Sequence, residues 1–233
     1  MSGHCFVSGS MSVPVLCRDG KIIYISLPIG YRMWVKGDDK ESKLHMAAGL
    51  VKQAMDDIGE DAQVILMCDS WYPKKPVTSL LDSYDNLNII CNVRVDTAMY
   101  ELPPERFGKC GRPGKYGEKA DINNVLLDTP AYGKWKIGVK TVLTNLFGNR
   151  KVLSVVTSPK EGSESRRLFL CTVSEEDLSK FDYTMFSDDT SFRIRKMQSP
   201  IPDPCSVRMQ MEDRDKLLRG ENLLVPGRLH AQE

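Results

Sequence analysis

One carboxylate in the sequence directly follows a short apolar run of the kind that forms a buried strand. Residues 64–68 read VILMC, and Asp69 comes next. Because α/β sheets place ligands and catalytic groups at the carboxyl ends of their strands, Asp69 is a candidate catalytic or metal-binding residue. The alternative is an aspartate that only braces a turn. Trp71 and Tyr72 follow and could stack on a base or sugar, although such aromatics more often pack a loop onto the core.

A second group of candidates lies in a glycine-rich, basic segment after position 100. Residues 108–117 read GKCGRPGKYG. Glycine lets a backbone approach a phosphate closely, and cationic side chains supply the charge for phosphate contacts. The segment has neither a Walker A loop nor the Gly-x-Gly-x-x-Gly dinucleotide pattern. It therefore indicates either a contact with a phosphate group or a solvated loop, and the candidate contacts are Lys109, Arg112, Lys115 and Lys119.

Residue patterns before position 60 predict a hairpin and a helix ahead of the Asp69 strand. Residues 4–28 hold two β-branched and aromatic runs around the turn sequence RDG, which is a strong hairpin signal. Apolar positions then recur at helical spacing over residues 44–58. Asp38 or Asp39 is the expected N-terminal cap, and Gly59 is the expected stop.

The patterns after Asp69 predict an α/β layer followed by a part rich in β-structure. Residues 76–84 indicate a short helix that begins near a proline, and residues 88–95 indicate another strand. Helix, strand, helix and strand in sequence are typical of an α/β layer with right-handed crossovers. Further strands are predicted at residues 135–147, 150–157 and 166–173. The organisation is therefore a core at 1–100, a basic loop and β-rich insertion at 101–173, and a tail at 174–233 that is expected to be poorly ordered.

The composition narrows the class of protein without identifying a partner. The 233 residues include 32 basic and 31 acidic side chains, so net charge gives no reason to expect a polyanion partner. The seven cysteines form no Cys-x-x-Cys pair, which favours reduced thiols in a cytosolic protein. The sequence has neither a leader peptide pattern nor an apolar run long enough to span a membrane. A cytoplasmic protein without a membrane partner is therefore expected.

Three segments in order resemble DDE-type insertion-sequence transposases. Residues 64–72 (VILMCDSWY) resemble the strand with the second catalytic aspartate of that family, and residues 3–7 (GHCFV) resemble the start of its second strand. Residues 102–119 (LPPERFGKCGRPGKYGEK) are similar to its Gly-Arg-Pro loop, and the part through residues 168–172 resembles its β insertion. The resemblance implies an α/β fold, namely an incomplete RNase H-like mixed sheet with flanking helices and a β-rich insertion.

The resemblance also implies a reaction and shows what this chain lacks for it. In the family, three carboxylates hold two divalent ions, Mg²⁺ or Mn²⁺, for phosphodiester hydrolysis and strand transfer on transposon DNA. Asp69 would be one ligand. The first aspartate belongs upstream of residues 3–7, and none of the eight tyrosines has the arginine three places later that precedes the final glutamate. We therefore expect a piece of a transposase that is truncated at both ends and inactive alone. The absent first strand would leave a neighbouring strand of the sheet unpaired, which favours instability or self-association.

Two other functions are compatible with the same residues. A non-catalytic fragment could bind DNA, or regulate a full-length transposase, through the loop around Arg112. Such binding would weaken steeply with salt. A third possibility is a small-molecule-binding α/β domain with Asp69 at its pocket. A structure that places Asp69 beside an apolar pocket and away from a second carboxylate would favour this last class.

Overall fold

The computed structural model arranges eleven strands in one mixed sheet. It describes residues 5–20, 22–35, 41–60, 62–104, 114–127, 129–132, 135–148, 150–159, 166–179 and 207–213. The strands are β1 (Cys5–Leu16), β2 (Ile22–Trp34), β3 (Val64–Cys68), β4 (Leu87–Val93), β5 (Met99–Tyr100), β6 (Lys119–Ala120), β7 (Thr129–Tyr132), β8 (Trp135–Leu143), β9 (Lys151–Pro159), β10 (Arg167–Cys171) and β11 (Val207–Asp213).

The strands follow the order β2-β1-β11-β3-β4-β10-β9-β8-β5-β6, with β7 paired to β8. The neighbours of β3, which are β11 and β4, run parallel to it. The pairs β1–β2, β1–β11 and β4–β10 are antiparallel, as are β10–β9 and β9–β8. The predicted α/β class is therefore confirmed, as a strand-rich mixed sheet with few helices.

The hairpin and the first helix confirm the sequence expectations, except for the helix cap. Strands β1 and β2 meet at a turn in which Gly20 has a positive φ of 79° and donates to Cys17. Helix α1 spans Lys43–Ile58, and Gly59 ends it with a φ of 77°. The expected cap at Asp38 or Asp39 is wrong, because the cap is Ser42, whose side chain accepts from the backbone N–H of His45.

Two short helices complete the layers around the sheet. Helix α2 covers Lys75–Thr78 and continues as a 3₁₀ turn at Ser79–Asp82, so the predicted helix after Asp69 is confirmed in two pieces. Helix α3 covers Glu175–Ser179. Its first turn is held by Ser174, whose hydroxyl accepts from the backbone N–H of Asp177 at 3.1 Å.

Strand β3 is buried on both faces, as its continuous apolar run predicts. Val64, Leu66 and Cys68 belong to a large core cluster that includes residues of α1 and α2. Ile65 and Met67 belong to a smaller cluster on the other side, which α3 covers with Leu178. The strand that leads to Asp69 is therefore fixed from both sides.

The tail and the β-rich part contribute to the sheet in ways the sequence did not predict. Strand β11 comes from the tail at 174–233 and fills the place between β1 and β3. The expectation of an unpaired neighbour at that place is therefore wrong. The β-rich part at 101–173 is continuous with the core sheet, since β10 pairs with β4. Backbone pairing with β4 explains why this part forms no separate layer.

Candidate functional site

Asp69 lies in an exposed turn directly after β3. Its Oδ1 accepts a hydrogen bond of 2.9 Å from the backbone N–H of Trp71, and its carbonyl accepts from the N–H of Tyr72 at 3.2 Å. One carboxylate oxygen thus braces the turn while the residue as a whole remains at the surface. Asp69 therefore makes the contact expected of an aspartate that braces a turn, and its catalytic or metal-binding role stays a prediction.

The two aromatics after Asp69 play different structural roles. Tyr72 is fully buried, whereas Trp71 is 42% exposed. The two rings meet edge to face, with centroids 5.3 Å apart and planes at 89°. Tyr72 therefore anchors the turn in the core, and Trp71 is presented at the surface on that anchor.

The strand directions bring other residues to the edge of the sheet where β3 ends, which we call the carboxyl edge. Strand β2 is antiparallel to β1, β1 is antiparallel to β11, and β11 is parallel to β3. Strand β2 therefore runs in the same direction as β3, and its last residue, Trp34, lies at the carboxyl edge with Asp69. Helix α1, which follows β2, begins nearby at Lys43.

Lys43 contacts two indole rings at this edge. Its Nζ lies 4.9 Å from the ring centroid of Trp34 and 5.8 Å from that of Trp71. Both distances fall within the range of cation–π attraction. We call Trp34, Lys43 and Trp71 the Trp–Lys cluster. It joins the ends of β2 and β3 to the start of α1, beside Asp69.

Strand β11 brings acidic positions of the tail to the same edge. Met211 is in register with Cys68 in the parallel pair of β11 and β3. Glu212 is the next residue of β11 and Asp69 is the first residue after β3, so both positions lie at the same end of this parallel pair. On its other side, β11 places Glu212 opposite Ser8. The backbone register therefore brings an acidic position of the tail, Glu212, to the carboxyl edge.

The chemistry at this edge suits a hard cation better than a thiolate ligand. A hydrogen bond to Cys91, followed by burial, raises the pKa of Cys68 well above its usual value, so this thiol stays neutral. Carboxylate oxygens are the ligands that Mg²⁺ and Mn²⁺ prefer. Among residues whose side chains the structure describes, no group of three His, Cys, Asp or Glu is positioned to hold a metal. Asp69 is an exposed carboxylate that the structure describes at this edge.

The described residues of the basic segment lie at the other edge of the sheet. Strand β9 runs in the same direction as β3, so the connection from β8 into β9 lies at the edge where β3 begins. Tyr116 donates to Asn145 in that connection at 2.6 Å, and it stacks on Tyr100 with centroids 4.6 Å apart. Lys115 lies over the Tyr116 ring at 5.1 Å.

The structure therefore does not bring the predicted site residues together. Lys115 and Lys119 are exposed, and β6, which carries Lys119, is six places from β3 in the sheet order. Lys109 and Arg112 lie outside the described residues. Among the described members of the predicted set, Trp71 and Tyr72 accompany Asp69, and Lys115 and Lys119 do not.

Sequence reasoning missed three contributors to the carboxyl edge. Trp34 and Lys43 are separated from Asp69 by at least 26 positions, and no local spacing links them to it. The segment before Glu212 has one weak indication of a strand. Residues 207–211 read VRMQM and alternate apolar and polar types, as a half-buried strand does. Only the tertiary pairing joins the three to Asp69.

Two sequence comparisons with known proteins found no match. No protein-family model matches the chain, and no curated protein matches it either.

In the part of the chain that the structure describes, no helix has both the length and the apolar character required to cross a membrane.

Proposed function

We propose that this chain is a DDE-type transposase domain that binds a divalent ion at Asp69 and nucleic acid at the same edge, without completing strand transfer alone. The observation that carries the proposal is the position of Asp69, exposed at the carboxyl end of a strand that is buried on both faces. Such a strand gives a ligand rigid support. The carboxyl edge is also where α/β sheets gather functional side chains.

The strand arrangement supports the finer assignment to an RNase H-like sheet. In that fold the first strand lies between the second and the fourth, antiparallel to one and parallel to the other. Here β11 has those relations to β1 and β3. The chain therefore has a candidate for the place of the first strand, supplied from its tail.

The same arrangement supports Asp69 and Glu212 as candidate ligands for Mg²⁺ or Mn²⁺. A divalent ion held there would polarise a phosphate and lower the pKa of a bound water. The third ligand of the family is a glutamate in a pattern absent from this sequence. A two-metal centre needs more carboxylates than these two, which is why we expect no strand transfer by the chain alone.

Manganese binding tests the proposed metal site without requiring activity. Electron paramagnetic resonance can follow free Mn²⁺ during titration of the full chain. We expect weak binding that Asp69→Asn abolishes and Glu212→Gln reduces. The matched control is Asp96→Asn, because Asp96 follows the neighbouring strand β4 and is paired with Arg94 at 3.0 Å. Equal Mn²⁺ binding by the wild type and Asp69→Asn would exclude this metal site.

A plasmid assay tests the expected lack of catalysis. With Mg²⁺ or Mn²⁺, the native chain and Asp69→Ala should leave supercoiled DNA equally intact. Metal-dependent nicking by the native chain that disappears in Asp69→Ala would mean that the ligand set is complete and that the enzyme is active.

The alternative function is a non-catalytic fragment that binds DNA or regulates a full-length transposase. The observation that favours it is the separation of Lys115 and Lys119 from Asp69, which leaves these cations without a role at the carboxyl edge. Neutralising Arg112 and Lys115 should then weaken duplex binding and flatten its dependence on salt. Unchanged binding in that double variant would exclude the basic segment as the contact.

A further inference from the structure

We propose that the Trp–Lys cluster is a binding site for an unpaired nucleotide, in which Trp71 stacks on the base and Lys43 contacts the phosphate. The inference deepens the proposed function and rests on it, since that function supplies a polynucleotide at the carboxyl edge. It concerns side chains outside the predicted ligand set. Its site is formed by β2, α1 and the turn after β3.

The indole of Trp71 is both exposed and held in place. It is 42% exposed, although its own backbone N–H donates to Asp69 and its ring meets the fully buried Tyr72 edge to face. A ring fixed in this way loses little conformational freedom when a ligand binds. Stacking of a base on an exposed aromatic is favourable for every base, because every base has a π-face.

The cation of the cluster is placed where a phosphate next to a stacked base could reach it. The Lys43 ammonium lies within 6 Å of both indole centroids. No acidic residue lies in the first turn of α1. Lys74 and Lys75 are also exposed, a few residues beyond Trp71. Lys43, Lys74 and Lys75 thus supply several cations around Trp71, and cations attract an anionic polymer.

The geometry favours a single strand over a duplex. A base that stacks on a protein side chain must leave its own helical stack, and that step costs energy for a paired base. A single-stranded end offers its bases without this cost. An unpaired terminal nucleotide is therefore the ligand that uses both Trp71 and Lys43.

A Trp–Lys cluster that only stabilises the fold would have the same contacts. Two variants of Lys43 separate this structural role from nucleotide binding. Lys43→Arg keeps the charge and can stack on both rings, whereas Lys43→Met keeps the apolar stem and removes the charge. Binding of fluorescein-labelled oligothymidylate to the full chain in EDTA, followed by anisotropy, needs no metal. We expect tight binding for Lys43→Arg, and about fivefold or greater weakening for Lys43→Met and Trp71→Ala.

The control is Lys151→Gln, which removes an exposed charge at the start of β9, at the other edge of the sheet, and should leave binding unchanged. Denaturation midpoints verify that each variant is folded. Equal affinity in the wild type, Lys43→Met and Trp71→Ala would overturn the proposal. So would equal binding of duplex and single strand, or no binding by the wild type. Loss of Mn²⁺ binding with retained oligothymidylate binding would instead reject the metal site and keep the nucleotide site.

Discussion

At the scale of single residues, burial separates the groups that can react from those that only pack. Asp69 and Trp71 share an exposed turn, whereas the neighbouring Cys68 is buried and its thiol is hydrogen-bonded to that of Cys91. Burial raises the pKa of Cys171 to about 12, so this thiol is also neutral near physiological pH. None of the described cysteines forms a disulfide, and four of them are buried.

These surroundings predict which thiols are reactive. At pH 8 a thiol with a pKa of about 12 is ionised in about one molecule in ten thousand. Cys17 is partly exposed in the hairpin turn and should be alkylated by iodoacetamide in the native protein. Cys68 and Cys171 should react only after unfolding. Mass spectrometry of the peptides reads each cysteine separately, and native labelling of Cys171 as fast as Cys17 would contradict the structure.

At the scale of elements, β11 is the strand that completes the sheet beside β3. It pairs with β1 over positions 208–213 and with β3 over positions 207–211. Its apolar positions Met209 and Met211 are in register with Leu66 and Cys68, which face the large core cluster. A shift by one residue would reverse this alternation, so the pattern fixes the register.

A designed disulfide tests the position of β11. Ser10 and Gln210 are directly opposite each other in the antiparallel pair, where Cα atoms lie about 4.5–5.5 Å apart, within reach of a disulfide. The double variant Ser10→Cys with Gln210→Cys should form an intramolecular link under mild oxidation, detected in non-reduced peptides. The control pairs Gln210→Cys with Ser26→Cys, which lies on β2, beyond β1. Linkage in the control, or none in the test pair, would mean that β11 lies elsewhere.

At the scale of the whole molecule, the unpaired strand of the sheet is not the one that the sequence predicts. Strand β11 pairs with β3 where the unpaired strand was expected. In the described sheet, β2 is the edge strand on that side, beyond β1. Ile23, Ile25 and Leu27 alternate along it and are 47%, 42% and 44% exposed. An apolar edge strand can pair with a second copy of the chain. Any self-association is therefore expected at β2.

One lysine substitution tests that expectation. Light scattering should give an apparent mass that rises with concentration for the wild type, and Ile25→Lys should suppress this rise because a charge would have to be desolvated at the contact. Leu126→Lys is the control, since Leu126 is 75% exposed and is not part of the β2 edge. A wild type that stays monomeric at all concentrations, or suppression by both variants alike, would contradict an edge contact at β2.

The sequence by itself determined the local elements and the candidate carboxylate. The RDG hairpin, the helix over 43–58 and the strand before Asp69 follow from turn chemistry and apolar periodicity, which act between residues close in the chain. The cap of α1 was misplaced, because any of several side chains near the start could accept from the first free N–H groups.

Only the tertiary structure decided which residues share an edge with Asp69. Lys43 reaches Trp34 and Trp71 because β2 and β3 run in the same direction, and strand direction within a sheet is a property of the whole chain. Glu212 comes beside Asp69 because a strand from the tail pairs on both sides, across about 140 residues of sequence separation. Long-range backbone pairing has no local signature. The sequence therefore could not show that Lys115 and Lys119 lie at the opposite edge from Asp69.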